Sequence, residues 1–495
     1  MKNNKFPVLL AKLSPEEVKA FSKYAKALYG NYDVALKLFE YFRGLHPNLE
    51  DDKKMSKEKV IQKVLGTDAE NAEKRILNES SRLYKWLEEF LLLEKLRQKD
   101  SPRRDIMIAE ILKERQLSHL FSLYHDRVNQ AYEKEPPKDI WSIADRLYLQ
   151  HLWYYYSDPQ EGLHTKDQAV IRRMMEQTDA FYMAAKLQYG AELHSRMNMM
   201  QESYDPILFW DAIKDLVGFS QETASNSSGE EPPFTSPPST PLHQALWLTA
   251  TLMENKDKNA FHDLEAFFKK NYPLFSLETQ YILHGSLINF ISDRLKQNDY
   301  GWMDILFQLY DLGLDTQVLF EEGLISSMRF LNIVNLACYL EKIETARHFI
   351  DKWSPYLRPN LKETTVKVAD ALILFAQKKY SSVLELLQEL KEGQKDHKDK
   401  YSDAFLEVRI RSLVIMAMTE EGEDVWDQCR NLKDFLKRNK TLSPKTIAGF
   451  NNFQKLLKRI LMPDKDKDGL LADIESSKPI FNKSWLLKKL RERMK

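Results

Sequence analysis

Apolar residues recur along this chain at spacings of three and four, with charged residues filling the positions between. That is the pattern of amphipathic helices. Ala69, Ala72, Ile76, Leu83, Leu87 and Phe90 make one such stripe and predict a helix over roughly 68–98. The same spacing predicts helices at 14–29, 32–45 and 56–65 before it. Others follow at 102–114, 118–133, 138–157, 166–200, 243–255, 258–271, 276–296 and 300–312. Starts are marked by caps. Ser14-Pro15-Glu16-Glu17 places a cap Ser, a first-turn Pro and a Glu in capping-box order. Ser101-Pro102, Ser354-Pro355 and Ser443-Pro444 repeat the Ser-Pro device. The stretch 148–156, YLQHLWYYY, is dense in aromatics and is expected to anchor two neighbouring helices.

The pattern stops at 220–241, SQETASNSSGEEPPFTSPPSTP, where Ser, Thr, Glu and Pro leave too little apolar surface to order a segment. This gives a map. It has an N-terminal helical module at 1–100, hairpins at 101–219, a disordered linker or loop at 220–241 and hairpins at 242–327. Repeats occupy 328–460, and a turn and helix follow at 461–495.

The repeats are pairs of helices at a period of about 35–45 residues that follow the tetratricopeptide pattern loosely. In NIVNLACYLEKIETARHFIDKWSPYLRP, Ile343 and Ala346 take the turn and small-residue positions, Ile350 the next large apolar one, and Pro359 closes the unit. In KVADALILFAQKKYSSVLELLQEL the same places fall to Tyr380, Val383 and Leu387. A third unit, LEVRIRSLVIMAMTEEGEDVWDQCRNLKDFL, has Gly422 at the turn and Trp426 as the bulky residue. The segments LSPEEVKAFSKYAKALYGN, FQLYDLGLDTQVLFEEGLISSMRFLNIVNLACYLEKIETARHFIDKWSPYLRP and NKSWLLKKLRE resemble uncharacterised tetratricopeptide-like helical-repeat proteins over most of the length. The resemblance implies an all-α fold, an αα-hairpin solenoid with its repeats in the C-terminal half, and no activity.

Composition agrees with an all-α chain. Gly is scarce, 15 in 495 residues, where sheet proteins spend it on turns and bulges. Lys and Arg number 73 and Asp and Glu 73, a net charge of +0. No overall field steers the chain to nucleic acid or an anionic membrane. Two cysteines, Cys338 and Cys429, make no disulfide framework. The apolar run Val8 to Ala11 is too short for a signal sequence. A cytoplasmic protein is expected.

One motif carries metal chemistry on paper. Asp464, Asp466, Asp468 and Glu475, with Gly469 between, match the EF-hand spacing. Pro463 abuts the loop where an entering helix should run, and Pro479 follows where the exiting helix should continue. We expect a capped helix over 469–476 instead, with no Ca²⁺ bound more tightly than about 10⁻⁴ M. A helix-turn-helix reading of 56–98 rests on Lys57, Lys59, Lys63, Lys74, Arg75 and Arg82, but Asp68, Glu70, Glu73 and Glu79 interleave with them. His151 lies among aromatics as a core or edge residue. Met174, Met175, Met183, Met197, Met199 and Met200 are expected to fill core. No nucleotide, nucleophile or paired metal-ligand motif is found. The expectation is a non-enzymatic scaffold without cofactors, holding a peptide or partner helix in a groove lined by the first helices of the pairs. The alternative is a DNA-binding regulator built on 56–98, although nucleic acid is not the expected partner.

Overall fold

The computed structural model describes residues 4–494 apart from 48, 50–53, 67–70, 98–101, 156–167, 201–204, 218–239, 297–298, 322, 394–403, 440, 463–466 and 477–478. Of the described residues 83% are helical and none forms a strand. Two isolated bridges, Glu321 to Leu324 and Ile325 to Leu357, are the sheet-like pairings among them. The chain divides into two compact units, and the division falls inside one long helix, between Ala185 and Lys186.

The first unit holds α1 (Lys5–Leu10), α2 (Pro15–Tyr29), α3 (Asp33–Arg43), α4 (Lys57–Val64), α5 (Ala72–Arg97), α6 (Pro102–Glu114), α7 (Ser118–Lys134) and α8 (Ile140–Tyr155). The expected capping box closes α2: Glu17 N–H donates to Ser14 Oγ at 3.1 Å, and Ser14 N–H donates to Glu17 Oε2 at 2.7 Å. The core of α1 to α5 is aromatic. Phe6, fully buried, lies 5.9 Å from Phe42 and 6.3 Å from Phe21, and Trp86 stacks on Tyr29 at 4.0 Å. Ile76, Leu83, Leu87 and Phe90 of the predicted α5 stripe are all buried there. A separate core joins α6, α7 and α8. Within 148–156 the packing is done by Leu149, Leu152 and Trp153, the last stacked on Phe121 at 5.9 Å and on His125 at 4.5 Å. Tyr148, His151 and Tyr155 remain exposed.

The dividing helix, α9, spans Gln168–Met200. The second unit continues with α10 (210–217), α11 (Pro241–Asn255), α12 (Lys258–Asn271), α13 (Leu277–Lys296), α14 (Met303–Asp315), α15 (Ser327–Tyr339) and α16 (Ile343–Trp353). After these come α17 (Pro359–Ala376), α18 (Tyr380–Gly393), α19 (Ala404–Glu421), α20 (Trp426–Arg438), α21 (Pro444–Leu461), α22 (Lys467–Ser476) and α23 (Lys483–Met494). Each helix from α11 to α23 packs on its neighbour in sequence. The odd-numbered α11 also meets α13, α15 meets α17, and α17 meets α19.

Helix α10 has no counterpart among the predicted helices, although Trp210, Ile213 and Val217 keep helical spacing and are buried. It docks through Trp210, whose ring occupies the space a Cβ at Gly190 of α9 would need, 2.1 Å away. The predicted linker 220–241 lies outside the described residues up to 239, and Pro241 opens α11. Ser354-Pro355 starts no α-helix; it forms a single 3-10 turn, Ser354–Tyr356, after α16.

Three helix-to-helix turns in the second unit share one construction. Glu341, Lys378 and Gly422 stand at φ 58°, 60° and 79°. The next residue's N–H reaches back five residues: Lys342 to Ala337 O at 2.9 Å, Lys379 to Leu374 O at 3.0 Å, and Glu423 to Met418 O at 2.9 Å. This is the Schellman cap, which satisfies orphan helix carbonyls and turns the chain sharply. The repeat positions assigned from sequence are buried behind these turns: Ala346, Val383 and Leu387 fully, Ile350 nearly so, and Ile343 and Tyr380 partly. In the third unit Val425, at 1% exposure, takes the buried place expected of Trp426.

Candidate functional site

The second unit contains a groove of about 1640 Å³. Small-molecule pockets run to roughly 300–1,000 Å³, so this one has room for a segment of polypeptide. Its lining follows a rule. From α11 to α23, the described lining residues come from α11, α13, α15, α17, α19, α21 and α23 and from the turns beside them, and none of them from α12, α14, α16, α18, α20 or α22. The inner face of every second helix therefore builds the site.

The floor is apolar. Val368, Leu413 and Phe450 are buried, and Leu372, Phe375 and Met416 lie beside them. Cys338 also faces the groove from α15, and burial pushes its thiol up to about 11, so it stays protonated.

The charged part of the lining is mostly cationic. Lys256, Arg294, Arg409, Lys445, Lys483, Lys488 and Arg491 face the groove, against the carboxylates of Asp293 and Glu492. Glu492 is held by Lys489, 2.8 Å away. Among the described residues no carboxylate lies within 4.0 Å of Lys256, Arg294, Arg409, Lys445 or Arg491. Arg294 spends its guanidinium on the Lys256 carbonyl and the Phe290 ring, 5.0 Å away. Arg409 reaches from α19 to the Asn332 amide oxygen of α15, with the Phe405 ring 5.5 Å away. Burial lowers its pKa to about 10, which leaves it charged at neutral pH.

One wall is the C-terminal arm. Phe481 stacks on Phe450 at 4.2 Å, and it fits only because position 449 is Gly: a Cβ there would sit 2.7 Å from the Phe481 ring. Asn452 Nδ2 donates to the Pro479 carbonyl at 2.8 Å. Trp485 Nε1 donates to Glu420 Oε1 at 2.7 Å, and Lys489 pairs with the other oxygen of that carboxylate. Burial opposes the Lys489 charge, but the bonds to Glu420 and Glu492 outweigh it and raise the pKa.

The sequence-derived candidates fall elsewhere. Asp464 and Asp466 lie outside the described residues. Asp468 and Glu475 are in α22, which covers the helix expected at 469–476. Among the described residues no group of three or more His, Cys, Asp or Glu is placed to hold a metal ion. In the 56–98 segment, Lys57 pairs with Glu73 and Arg82 with Glu79, and Arg82 also lies 4.7 Å over the Tyr32 ring. Lys59, Lys63, Lys74 and Arg75 are exposed. Among the described residues no helix is long and apolar enough to cross a membrane.

The expected groove over the repeats at 328–460 leaves out Lys256, Arg294, Lys483, Lys488 and Arg491, which line the site from outside that range. The one available signal was the basic run in α23, KKLRER, which reads equally well as a solvated helix end. No protein-family model, curated protein or solved structure matches this chain.

Proposed function

We propose that residues 241–494 are a tetratricopeptide-like solenoid of αα-hairpins that holds a peptide or a partner helix and performs no chemistry of its own. The observation that carries this reading is the alternation of the lining. When hairpins stack in register, their first helices share one face and their second helices the other. A groove lined by every second helix is what that stacking produces. Its size and apolar floor suit a segment of polypeptide seated by side-chain burial. The repeated Schellman turns support the same register. Two free thiols, Cys338 and Cys429, suit a reducing, cytoplasmic setting. The DNA-binding alternative has less behind it, because two of its six candidate basic side chains, Lys57 and Arg82, are already paired with carboxylates.

Panning a random-sequence peptide library tests the proposal. The protein is expected to enrich related peptides, and the Asn335→Trp variant to lose them. Asn335 is exposed and lines the groove from α15, so an indole there fills space without disturbing the core. Enrichment of no peptide, or of the same peptides by the variant, removes the groove as the binding site.

A further inference from the structure

We infer that the groove selects an acidic, amphipathic segment of a partner protein: apolar side chains toward the floor, Asp and Glu toward the rim. This rests on the peptide-groove reading and adds the chemistry of the ligand.

Charge complementarity defines the ligand. The whole chain is neutral, yet among the described residues seven cationic side chains face the groove against two carboxylates. The charge is concentrated there by the fold. Five of the seven also lack a carboxylate partner. Lys256, Arg294, Arg409, Lys445 and Arg491 have no carboxylate in ion-pair range among the described residues, although Asp and Glu are as common in this chain as Lys and Arg. The cations come from the turn after α11 and from α13, α19, α21 and α23. Lys256, Lys445 and Arg491 are exposed, while Arg409 lies half-buried. Guanidinium groups in such a setting take carboxylates through paired N–H donors.

A strand of nucleic acid would also be drawn by this charge, but single-strand sites add open ring faces for bases to stack on. Here several rings are already engaged. Phe450 and Phe481 stack on each other, and Phe290 lies 5.1 Å from Phe261 and 5.3 Å from Trp302. The floor of Val368, Leu372 and Leu413 offers burial to apolar side chains and nothing to a phosphate.

The experiment is fluorescence anisotropy with the full chain and three fluorescein-labelled probes. One is a peptide in which Glu alternates with Leu and Phe, the second its Gln-for-Glu counterpart, and the third an oligothymidine of matching length. The acidic peptide is expected to bind, its affinity falling steeply with added salt. The Gln counterpart should bind at least about tenfold more weakly. The double variant Lys445→Glu, Arg491→Glu should lose a similar factor for the acidic peptide. Both side chains are exposed and, among the described residues, unpaired with carboxylates, so the variant should melt as the parent does. Equal binding of the two peptides overturns the acidic preference and leaves a peptide groove standing. Tighter binding of the oligothymidine makes the groove a nucleic-acid site. An unaltered affinity in the double variant, or no binding of the acidic peptide, also sinks the inference.

Discussion

Two sets of basic residues in this protein look alike in sequence and differ in the folded chain. Those of α4 and α5 alternate with carboxylates on the helix surface. The fold brings Lys57 to Glu73, and Arg82 meets Glu79 one turn away on α5, which cancels part of the field. Those around the groove come from four helices and the turn after α11, and the fold brings no carboxylate to Lys256, Arg294, Arg409, Lys445 or Arg491 among the described residues. A cluster of Lys and Arg along the chain therefore says little about potential. What matters is which charges converge in space and whether the same fold supplies their partners. The comparison also separates two kinds of ion pair. Lys57 and Glu73 are about half exposed, at 51% and 55%, whereas Glu420 and Lys489 are at 16% or less.

The sharpest way to break the comparison is Glu420→Ala. It strips both Lys489 and the Trp485 indole of their buried partner. We expect a loss of roughly 2–4 kcal/mol, toward the lower part of the range for breaking a buried pair, together with detachment of the C-terminal arm. Chemical denaturation gives the first and hydrogen exchange over 479–494 the second. Unaltered protection there would show that the contacts of Phe481 and Pro479 hold the arm without the Glu420 pair.

Next in size is Ala346→Leu, which overpacks α16 against the core behind the groove. It should cost about 1–3 kcal/mol, and a variant that melts like the parent would mean the first repeat is assigned in the wrong register.

Acidification acts on both units. His125 and His284 are buried, and burial holds both below the ordinary histidine value. Asp126, 3.3 Å from His125, and the Leu309 carbonyl, 2.7 Å from His284 Nε2, only partly offset this. The unfolded chain then binds protons more readily than the folded one. Stability is full above about pH 6.5 and falls as pH drops through that value toward the lower folded ones. Melting temperatures that stay level from about pH 7 to pH 5 would contradict it.

The smallest effect is expected on the surface side of the comparison. Glu73→Gln should change stability by no more than about 0.5 kcal/mol, and it frees the charge of Lys57. Retention on heparin that rises markedly in this variant would show the pairing, rather than the number of basic residues, to be what restrains the α4–α5 face.

Helix positions were largely readable because they depend on local pattern. The stripe of α5, the capping box of α2 and the Ser443-Pro444 start of α21 each involve residues within a few turns of one another. The Schellman turns were readable only at Gly422. Glu341 and Lys378 take the same left-handed geometry without a glycine, because the packing of α15 on α16 and of α17 on α18 holds them there. Ser354-Pro355 misled for a related reason: a cap and a proline start an α-helix only if the chain beyond has room to continue.

The sequence by itself determined the helices, most of their boundaries and the absence of overall charge, since these are sums or short-range patterns. Tertiary structure alone decided the groove. Its floor, its cations and its C-terminal wall come from segments up to about 240 residues apart, such as Lys256 and Arg491. No periodicity records which of many exposed lysines and arginines face inward together. That depends on the angle at which each helix pair stacks on the next, a property of side-chain packing between helices and not of any one helix.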